Sequence, residues 1–328
     1  MNPGIHPGLS MSEYLGLEAA SASIIKRILG ECPRAAWSES WLNPRRSVNN
    51  NGASDRGTIC HAILLEGSED CLVAIDPRDH PAEKTGNVPD GWTNKSIRAA
   101  RDEARAAGKI PILLDDHASI MNMVSATWEF LQTVKDTEPA IWAMFQPDGG
   151  SSEETVVWQD GQTLCKMRTD RWSADRGVIC DYKTTERSVE PSSWGRSQLI
   201  GMGYYLSAAW YRRGAMAATG VQPDYVFLAQ EVNPPYLCSL VGVEPAMLEA
   251  GAHMIEQGLM QWERCVESGQ WPAYPNRVCY PETPAYMLAQ WEAAEIREIE
   301  EHGMPADRAK KEKPGQWLSR AEIEAGAI

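Results

Sequence analysis

The sequence predicts an α/β fold of mixed α+β type, in which helices flank a central mixed sheet of about five strands. The first indication is three consecutive short strands within residues 153–185, joined by turn residues. The second is a pair of apolar, β-prone segments at 224–230 and 237–243. The third is a set of segments with helical apolar spacing before, between and after these strands. Together these patterns predict one sheet with helices packed against it.

The first hairpin of this sheet turns at Asp160-Gly161. Glycine readily takes the positive φ of a tight turn between twisted strands, so this pair joins the apolar segments on either side. A turn centred there places Glu153 opposite Arg168. We therefore expect Glu153 on the same face of the sheet as Arg168, and Glu154 on the other face.

A second turn, centred on residues 175–176, places Asp170 opposite Asp181. Side chains alternate between the two faces of a strand, so each aspartate shares its face with a basic residue two positions away. The charged residues expected to converge on one side of the sheet are Glu153, Arg168, Asp170, Asp181 and Lys183.

Such a group of facing carboxylates indicates a metal site. Opposed carboxylates repel each other, and the pKa of one of them rises unless a cation sits between them. Hard divalent cations with oxygen ligands, such as Mg²⁺, suit the cluster. The alternative that the strands alone leave open is a surface hairpin with ion-paired Asp, Arg and Lys side chains.

The spacing of Asp170, Asp181 and Lys183 is the Asp-x10-Asp-x-Lys pattern of the PD-(D/E)xK nuclease superfamily. By itself this pattern is short, but three further segments resemble RecB-type and RecE-type members. They are residues 57–66, which resemble the G-T-x-x-H-x-x-L-L-E helix, residues 165–170, which resemble the C-K-x-R-x-D strand, and residues 271–274, which resemble the closing W-P-x-Y segment.

In the order and spacing of these motifs, the chain resembles the RecE-like phage exonucleases (exodeoxyribonuclease VIII type) over roughly residues 10–280. The resemblance implies a restriction-endonuclease-like core. It also implies that His61 is a metal ligand, although a lone histidine on an apolar helix is more often a core residue. The ligands expected for one or two Mg²⁺ or Mn²⁺ ions are His61, Asp170, Asp181 and the main-chain carbonyl of Tyr182.

Lys183 and Glu153 complete the expected catalytic set. Lys183 has the reach and charge to orient the attacking water or to steady the transition state; as a base it would need a lowered pKa, which neighbouring cations favour. Glu153 is expected to hold Lys183 or a water on the metal. The catalytic residues predicted in this way are His61, Glu153, Asp170, Asp181 and Lys183.

Four residues are expected to contact DNA. Arg168 suits a phosphate clamp, and neutralising Glu153 is an equal alternative. Residues 203–211 resemble the family's G-Y-x-x-Q-A-A-x-Y helix, but Ser207 stands where the family has Gln. Gln198, two turns earlier, is the candidate substitute for that side chain. The expected DNA contacts are Arg168, Thr184, Gln198 and Tyr204.

Composition limits the cellular setting. The chain has 328 residues, 43% of them apolar, which is ample for a buried core. It has no apolar run of about 18 residues and no basic-then-apolar N-terminal signal, so we expect a cytoplasmic protein that does not span a membrane. Eight scattered cysteines without a C-x-x-C pair favour reduced thiols, and we expect no iron–sulfur cluster.

The formal net charge of −14 counts against nucleic-acid binding, because such proteins usually carry a basic surface. By charge alone, an ordinary acidic enzyme is the better interpretation. An acidic protein can still bind DNA if its basic residues line a channel. A bound metal would add positive charge at the same place.

The predicted domain organisation has three parts. Residues 1–20 carry Gly and Pro and are expected to form an irregular N-terminal arm, followed by the nuclease domain at 21–282, with a helical insertion at about 76–150. Residues 283–328 are expected to form a C-terminal helix and a charged tail. In that tail, Trp317-Leu318 is a candidate attachment point for a partner.

The resemblance implies a metal-dependent exonuclease that resects linear double-stranded DNA from 5′ to 3′ and leaves 3′ single strands for an annealing protein. It also implies a homo-oligomeric ring, commonly a tetramer, around the DNA. Two alternatives stay open: a Cas4-like or RecB-like nuclease module with another end or strand preference, and a non-cleaving DNA-end-binding scaffold, to which the Ser207 departure points.

Overall fold

The computed structural model describes residues 1–46 and 55–303. The turn-rich, polar sequence of residues 43–56 predicts a loop, part of which lies outside the described residues. The candidate attachment point Trp317-Leu318 also lies outside them. A mixed sheet flanked by helices confirms the predicted fold class, with six strands instead of about five. None of the described helices combines the length and apolarity that crossing a bilayer requires.

The strands are β1 (Gly4–His6), β2 (Leu72–Ile75), β3 (Ile110–Leu113), β4 (Ser151–Asp160), β5 (Thr163–Ser173), β6 (Val178–Thr185), β7 (Asp224–Glu231) and β8 (Cys238–Gly242). The helices are α1 (Met11–Gly16), α2 (Ala22–Gly30), α3 (Pro33–Glu39), α4 (Asp55–His61), α5 (Lys95–Ala106), α6 (Leu114–Thr133), α7 (Pro139–Met144), α8 (Pro191–Trp194), α9 (Tyr204–Thr219), α10 (Pro245–Ser268) and α11 (Ala285–His302).

The main sheet has the order β1-β4-β5-β6-β7-β8. Its pairs are antiparallel except β6 and β7, which run parallel because α8 and α9 carry the chain back between them. The sixth strand is β1, from the segment expected to be an irregular arm. That expectation was wrong for residues 4–6 and 11–16, because a three-residue edge strand and a single short helix give no periodic pattern to read.

The turn between β4 and β5 lies one residue later than the sequence predicts. Gly161, with a φ of 56°, and Gln162 make the turn, and Arg168 therefore pairs with Thr155, not with Glu153. Glu153 instead falls between two paired positions and faces Asp170. Because the register moved by two residues, every side chain kept its predicted face.

The predicted register between β5 and β6 is confirmed, but their pairing stops early. The last pair is Arg171 with Cys180, one residue short of the expected pair of Asp170 and Asp181. Beyond this point the strands separate. The Asp170 carboxylate enters this separation, where Oδ2 accepts a hydrogen bond from the backbone amide of Tyr182 at 2.9 Å.

The N-terminal segment occupies the edge of β5 that β6 has left. Ala20 donates to the Leu164 carbonyl at 2.8 Å and accepts from the Lys166 amide at 2.7 Å. The Lys166 ammonium is buried and donates to the carbonyls of Tyr14 and Leu17, each at 2.9 Å. Residues 14–20 are thus built into the sheet by backbone and side-chain bonds, beside the separated strands.

Two apolar clusters hold the sheet. One joins α2, α9 and α10 to the strands and contains three nearly inaccessible tryptophans, Trp194, Trp210 and Trp262. The other joins α4, α6 and α7 to β6 and β7. Burial of large side chains on both sides fixes β6, the central strand of the site, in the middle of the domain.

The region expected to be a helical insertion also contains a strand. β3 pairs in parallel with β2 to form a separate two-stranded sheet. The long helix α6 follows β3 directly and buries Ile120, Met123 and Leu131. The chain divides into two compact units, which meet between residues 273 and 274 of the sequence. The described part of the second unit contains α11.

Candidate active site

His61 comes from the last residue of α4, whose preceding residues Ile59 and Cys60 are buried in the core. Its Nδ1 lies 3.3 Å from Glu153 Oε1, and its Nε2 lies 3.3 Å from Asp170 Oδ1. Directly after His61 the chain makes a π-helical turn, Ala62–Glu66, a local distortion that is frequent at functional sites. The imidazole thus bridges two carboxylates from two strands.

Glu153 has an unusual backbone conformation and is ion-paired with Arg168. Its φ is 54°, a left-handed value that non-glycine residues adopt rarely and that is found at functional sites. Its Oε2 forms a close ion pair with Arg168 Nε. Arg168 also donates to the Leu9 carbonyl at 2.6 Å and to Thr155 Oγ1 at 3.1 Å. Arg168 therefore positions Glu153, which favours the neutralising alternative over a free phosphate clamp.

The three side chains His61, Glu153 and Asp170 can each offer one ligand atom, and these atoms lie within 4.8 Å of one another. One nitrogen and two carboxylate oxygens are a donor set that fits a divalent cation such as Mg²⁺ or Mn²⁺, and the imidazole shifts the preference toward Mn²⁺. The chemistry of the donors therefore fits the expected metal. Glu153, predicted to assist the site, belongs to this set.

Asp181 lies outside this set of three. Its carboxylate is buried, with 5% of the residue exposed; Oδ1 pairs closely with Lys183 Nζ, and Oδ2 accepts from the Tyr225 hydroxyl at 2.7 Å. Lys183 Nζ is 3.9 Å from Asp170 Oδ2. Lys183 thus stands between the two aspartates, and the ligand roles predicted for Asp181 and for the Tyr182 carbonyl stay predictions.

Charge and burial oppose each other at His61 and Glu153. Burial disfavours the imidazolium, but the Asp170 and Glu153 carboxylates outweigh that effect and raise the pKa of His61. Burial also raises the pKa of Glu153, although the charges of His61 and Arg168 work in the lowering direction. Both shifts favour the protonated forms of His61 and Glu153.

The two aspartates shift in opposite directions. For Asp170, burial opposes ionisation, but the charges of Lys183 and His61 hold its pKa below the usual range. For Asp181, burial and the charge of Asp170 raise the pKa in spite of Lys183. Burial disfavours the Lys183 ammonium, yet both aspartates raise its pKa. With both carboxylates facing it, Lys183 is a fixed cation, which favours a positioning role over that of a base.

A cavity of 440 Å³ opens beside Asp181 and Lys183. Its lining has four basic side chains against two acidic ones, in a chain whose net charge is −14. Such a local excess of positive charge is what an acidic DNA enzyme requires. The charged residues of this lining are Lys26, Arg46, Lys166, Lys183, Glu39 and Asp181.

Lys26 is a residue that the sequence did not single out for the site. From α2 its Nζ reaches Ser207 Oγ at 3.5 Å and lies 5.4 Å from the centre of the Tyr204 ring. Ser207, where the family carries Gln, thus has a lysine beside it. The S-x-x-x-x-K pattern from Ser21 to Lys26 resembles the opening helix of the RecE-like exonucleases and was the one available signal.

The predicted DNA contacts fall in different places. Tyr204 lines the basic cavity, with Lys183 Nζ 5.9 Å from its ring centre, but it also stacks on Phe227 at 5.7 Å. Thr184 lines a second cavity at the end of β6. Gln198 is half-buried in the π-helical turn before α9 and lines neither of these two cavities.

Comparisons with known proteins bear on the family and the fold. The family described as a PDDEXK-like domain of unknown function matches residues 21–283, most of the chain. No curated protein sequence matches.

Two solved structures are similar in fold. The crystal structure of a candidate exonuclease from Eubacterium rectale covers 86% of this chain and 98% of its own, with 15% identity and a TM-score of 0.50. The protein SSO0001 covers 54% of this chain and 82% of its own, with 11% identity and a TM-score of 0.23. The first supports the fold, and the second is too distant to support an argument.

Proposed function

Since this chain belongs to the family of PDDEXK-like domains, we propose that it is a divalent-metal-dependent nuclease that hydrolyses phosphodiester bonds of DNA. The observation that carries the proposal is the convergence of His61, Glu153 and Asp170 within 4.8 Å, with Lys183 3.9 Å from Asp170. Histidine, two carboxylates and a lysine supply both a cation site and a fixed positive charge.

His61, Glu153 and Asp170 would hold the ion. When bound, a divalent ion supplies positive charge that stabilises the oxygens of a phosphodiester during in-line displacement. Arg168 fixes the Glu153 carboxylate through its close ion pair, and the Tyr182 amide fixes Asp170. Preorganised side chains of this kind need no rearrangement when the substrate arrives.

Lys183 is the residue proposed to meet the substrate. Asp181 holds its ammonium in place, and Tyr225 holds Asp181 in turn. The ammonium lines the basic cavity, where it can orient the attacking water or bind a phosphate oxygen. Asp181 thus acts as a positioning residue for Lys183 in this arrangement.

The finer function that we propose is that of an exonuclease which resects linear double-stranded DNA from 5′ to 3′ and leaves 3′ strands for recombination with an annealing protein. It is supported by the RecE-like motifs and by the description of the similar Eubacterium rectale protein as a candidate exonuclease. A homo-oligomeric ring, with the basic cavity of each copy facing the DNA, would reconcile four clustered cations with the acidic chain.

Linear and circular duplexes, incubated with Mg²⁺, with Mn²⁺ and with EDTA, test the function. We expect metal-dependent loss of linear DNA only, with labelled 5′ ends released first. Asp170→Asn should abolish it, whereas Asp136→Asn, at an exposed aspartate, should not. Nicking of circles would favour the Cas4-like or RecB-like alternative, and binding without cleavage would favour the scaffold.

A further inference from the structure

A second cavity, of 560 Å³, lies at the C-terminal end of β6. Trp92, Thr184 and Thr185 contribute an indole ring and two hydroxyls to its lining. Its volume is in the range of small-molecule sites. Its lining also includes Arg56, Ile112, Asp116, Glu186 and Asn233.

This cavity lies next to the proposed catalytic cluster along two elements. On β6, Thr184 directly follows Lys183, and its side chain lies on the opposite face of the strand, against Gly57 of α4. On α4, Arg56 precedes His61 by five residues, about 7.5 Å of helix axis, or about two nucleotide steps of a duplex strand. The start of α4 fits closely on β6, since a Cβ on Gly57 would lie 2.6 Å from Thr184 Oγ1.

The charge of this cavity does not suit a phosphate. Its single basic side chain, Arg56, is already paired with Asp116, and Glu186 adds a second carboxylate. The first cavity, by contrast, has four cations against two acids. An indole ring, an apolar side chain at Ile112, and the hydroxyl and amide groups around them suit a neutral planar ring with polar edges.

Trp92 is half-buried. The Arg101 guanidinium lies 6.0 Å from the centre of its ring, and Arg101 is itself paired with Asp102 at 2.8 Å. A half-buried ring has less freedom to lose when a second ring stacks on it. Stacking on an aromatic side chain is how proteins bind bases without reading the sequence.

We propose that this cavity binds one unpaired nucleobase, stacked on Trp92, of the DNA strand bound at the His61 side of the catalytic cluster. The inference rests on the proposed function and adds a substrate feature to it. A base that enters the cavity has left its Watson–Crick partner, so the site selects DNA with a single-stranded or frayed segment next to the scissile bond.

The test measures binding by the non-cleaving Asp170→Asn protein in Mg²⁺. The probes are a single-stranded oligonucleotide, a duplex with a single-stranded overhang, and a blunt duplex with G·C ends. Each carries 2-aminopurine, whose fluorescence falls on stacking. Trp92→Ala should weaken binding of the first two probes at least about fivefold and abolish the fluorescence loss, while Trp92→Phe keeps both. The blunt duplex should bind all variants alike.

Trp291→Ala, at a tryptophan that is 76% exposed, is the matched control. Overhang binding by Trp92→Ala equal to that of the control would overturn the base site, and so would equal losses for overhang and blunt duplex. Rescue by Trp92→Phe separates stacking from misfolding. Cleavage of DNA by the unmodified chain is measured in a separate assay. Failure of the proposed nuclease function would appear in that assay and would leave the ratio of overhang to blunt-duplex binding unchanged.

Discussion

The backbone amide of Tyr182 donates to Asp170 Oδ2, 2.9 Å away, at the point where β5 and β6 stop pairing. At this point the Asp170 carboxylate accepts the hydrogen bond that a main-chain carbonyl would accept in a continuous ladder. The same carboxylate presents Oδ1 to His61 at 3.3 Å. The opening of the sheet and the candidate metal site are therefore one feature, and changes at Asp170 separate its charge from its structural bond.

Asp170→Asn should remove activity while preserving the fold. The amide oxygen can still accept from Tyr182, but the negative charge that would hold a cation is gone. We expect hydrolysis to fall by a factor of at least about 10²–10³. The protein should stay folded, with a lower melting temperature because Lys183 and His61 lose a charged partner. Rates on linear DNA and thermal melts check this. Activity within a few fold of Asp136→Asn would contradict the assignment.

Arg168→Lys should not behave as a conservative change. The planar guanidinium of Arg168 donates to Glu153, to the Leu9 carbonyl and to Thr155. A lysine ammonium cannot reproduce this geometry of donors. We expect about 1–3 kcal/mol less unfolding free energy and roughly 10- to 100-fold weaker Mn²⁺ binding. Urea unfolding and calorimetric titration measure these quantities. Arg187→Lys, at an exposed arginine, is the control, and equal Mn²⁺ affinities would reject a positioning role for Arg168.

Tyr225→Phe removes one donor from the buried Asp181 carboxylate. Since a buried acceptor that loses its partner costs about 1–3 kcal/mol, we expect a loss of that size in urea unfolding. Hydrolysis should fall less than in Asp181→Ala, because Lys183 still pairs with the aspartate. Tyr274→Phe, at an exposed tyrosine, should change neither quantity. Unchanged stability of Tyr225→Phe would show that this hydrogen bond contributes little.

Lys166 predicts a pH effect on stability. Burial, with the charge of Arg46, lowers the pKa of Lys166 from 10.5 to about 8. Between these values the unfolded chain holds more protons at this residue than the folded chain does, so unfolding free energy rises with pH. Below about pH 8 the cost of the buried charge is constant. Lys166→Met lacks this titration.

Urea unfolding of both proteins from pH 7 to 10 checks the sign. The stability of the wild-type protein, relative to Lys166→Met, should increase above about pH 8. Lys166→Met should be the less stable protein in that range, because it leaves the carbonyls of Tyr14 and Leu17 without their donor. A stability difference that stays constant over the whole range would mean that Lys166 titrates normally.

The sequence predicted the faces of the strands better than their pairing. Alternation placed Glu153, Arg168 and Asp170 on one side, and the two-residue shift caused by Gly161-Gln162 left that arrangement intact. The pairing of Asp170 with Asp181 failed for another reason. Turn positions define register but not how far a ladder continues, and here Ala20 pairs with β5 at Cys165, where β6 no longer does.

Contacts between distant parts of the chain were beyond the sequence. Lys26 and Arg46 meet Lys183 in one cavity although more than 130 residues separate them in sequence. Trp92 lies in the predicted helical insertion at about 76–150, and no periodic pattern places it beside Thr184. His61 was found because the motif around it resembles a known family, not because its helix indicated a ligand.

A crystal of the protein soaked in Mn²⁺, with anomalous diffraction collected at the manganese edge, tests the central claim most directly. We predict one strong peak, coordinated by His61, Glu153 and Asp170, that disappears in Asp170→Asn crystals. Manganese bound elsewhere, or no peak between these three side chains in a crystal that diffracts well, would contradict the proposed metal site and the nuclease function built on it.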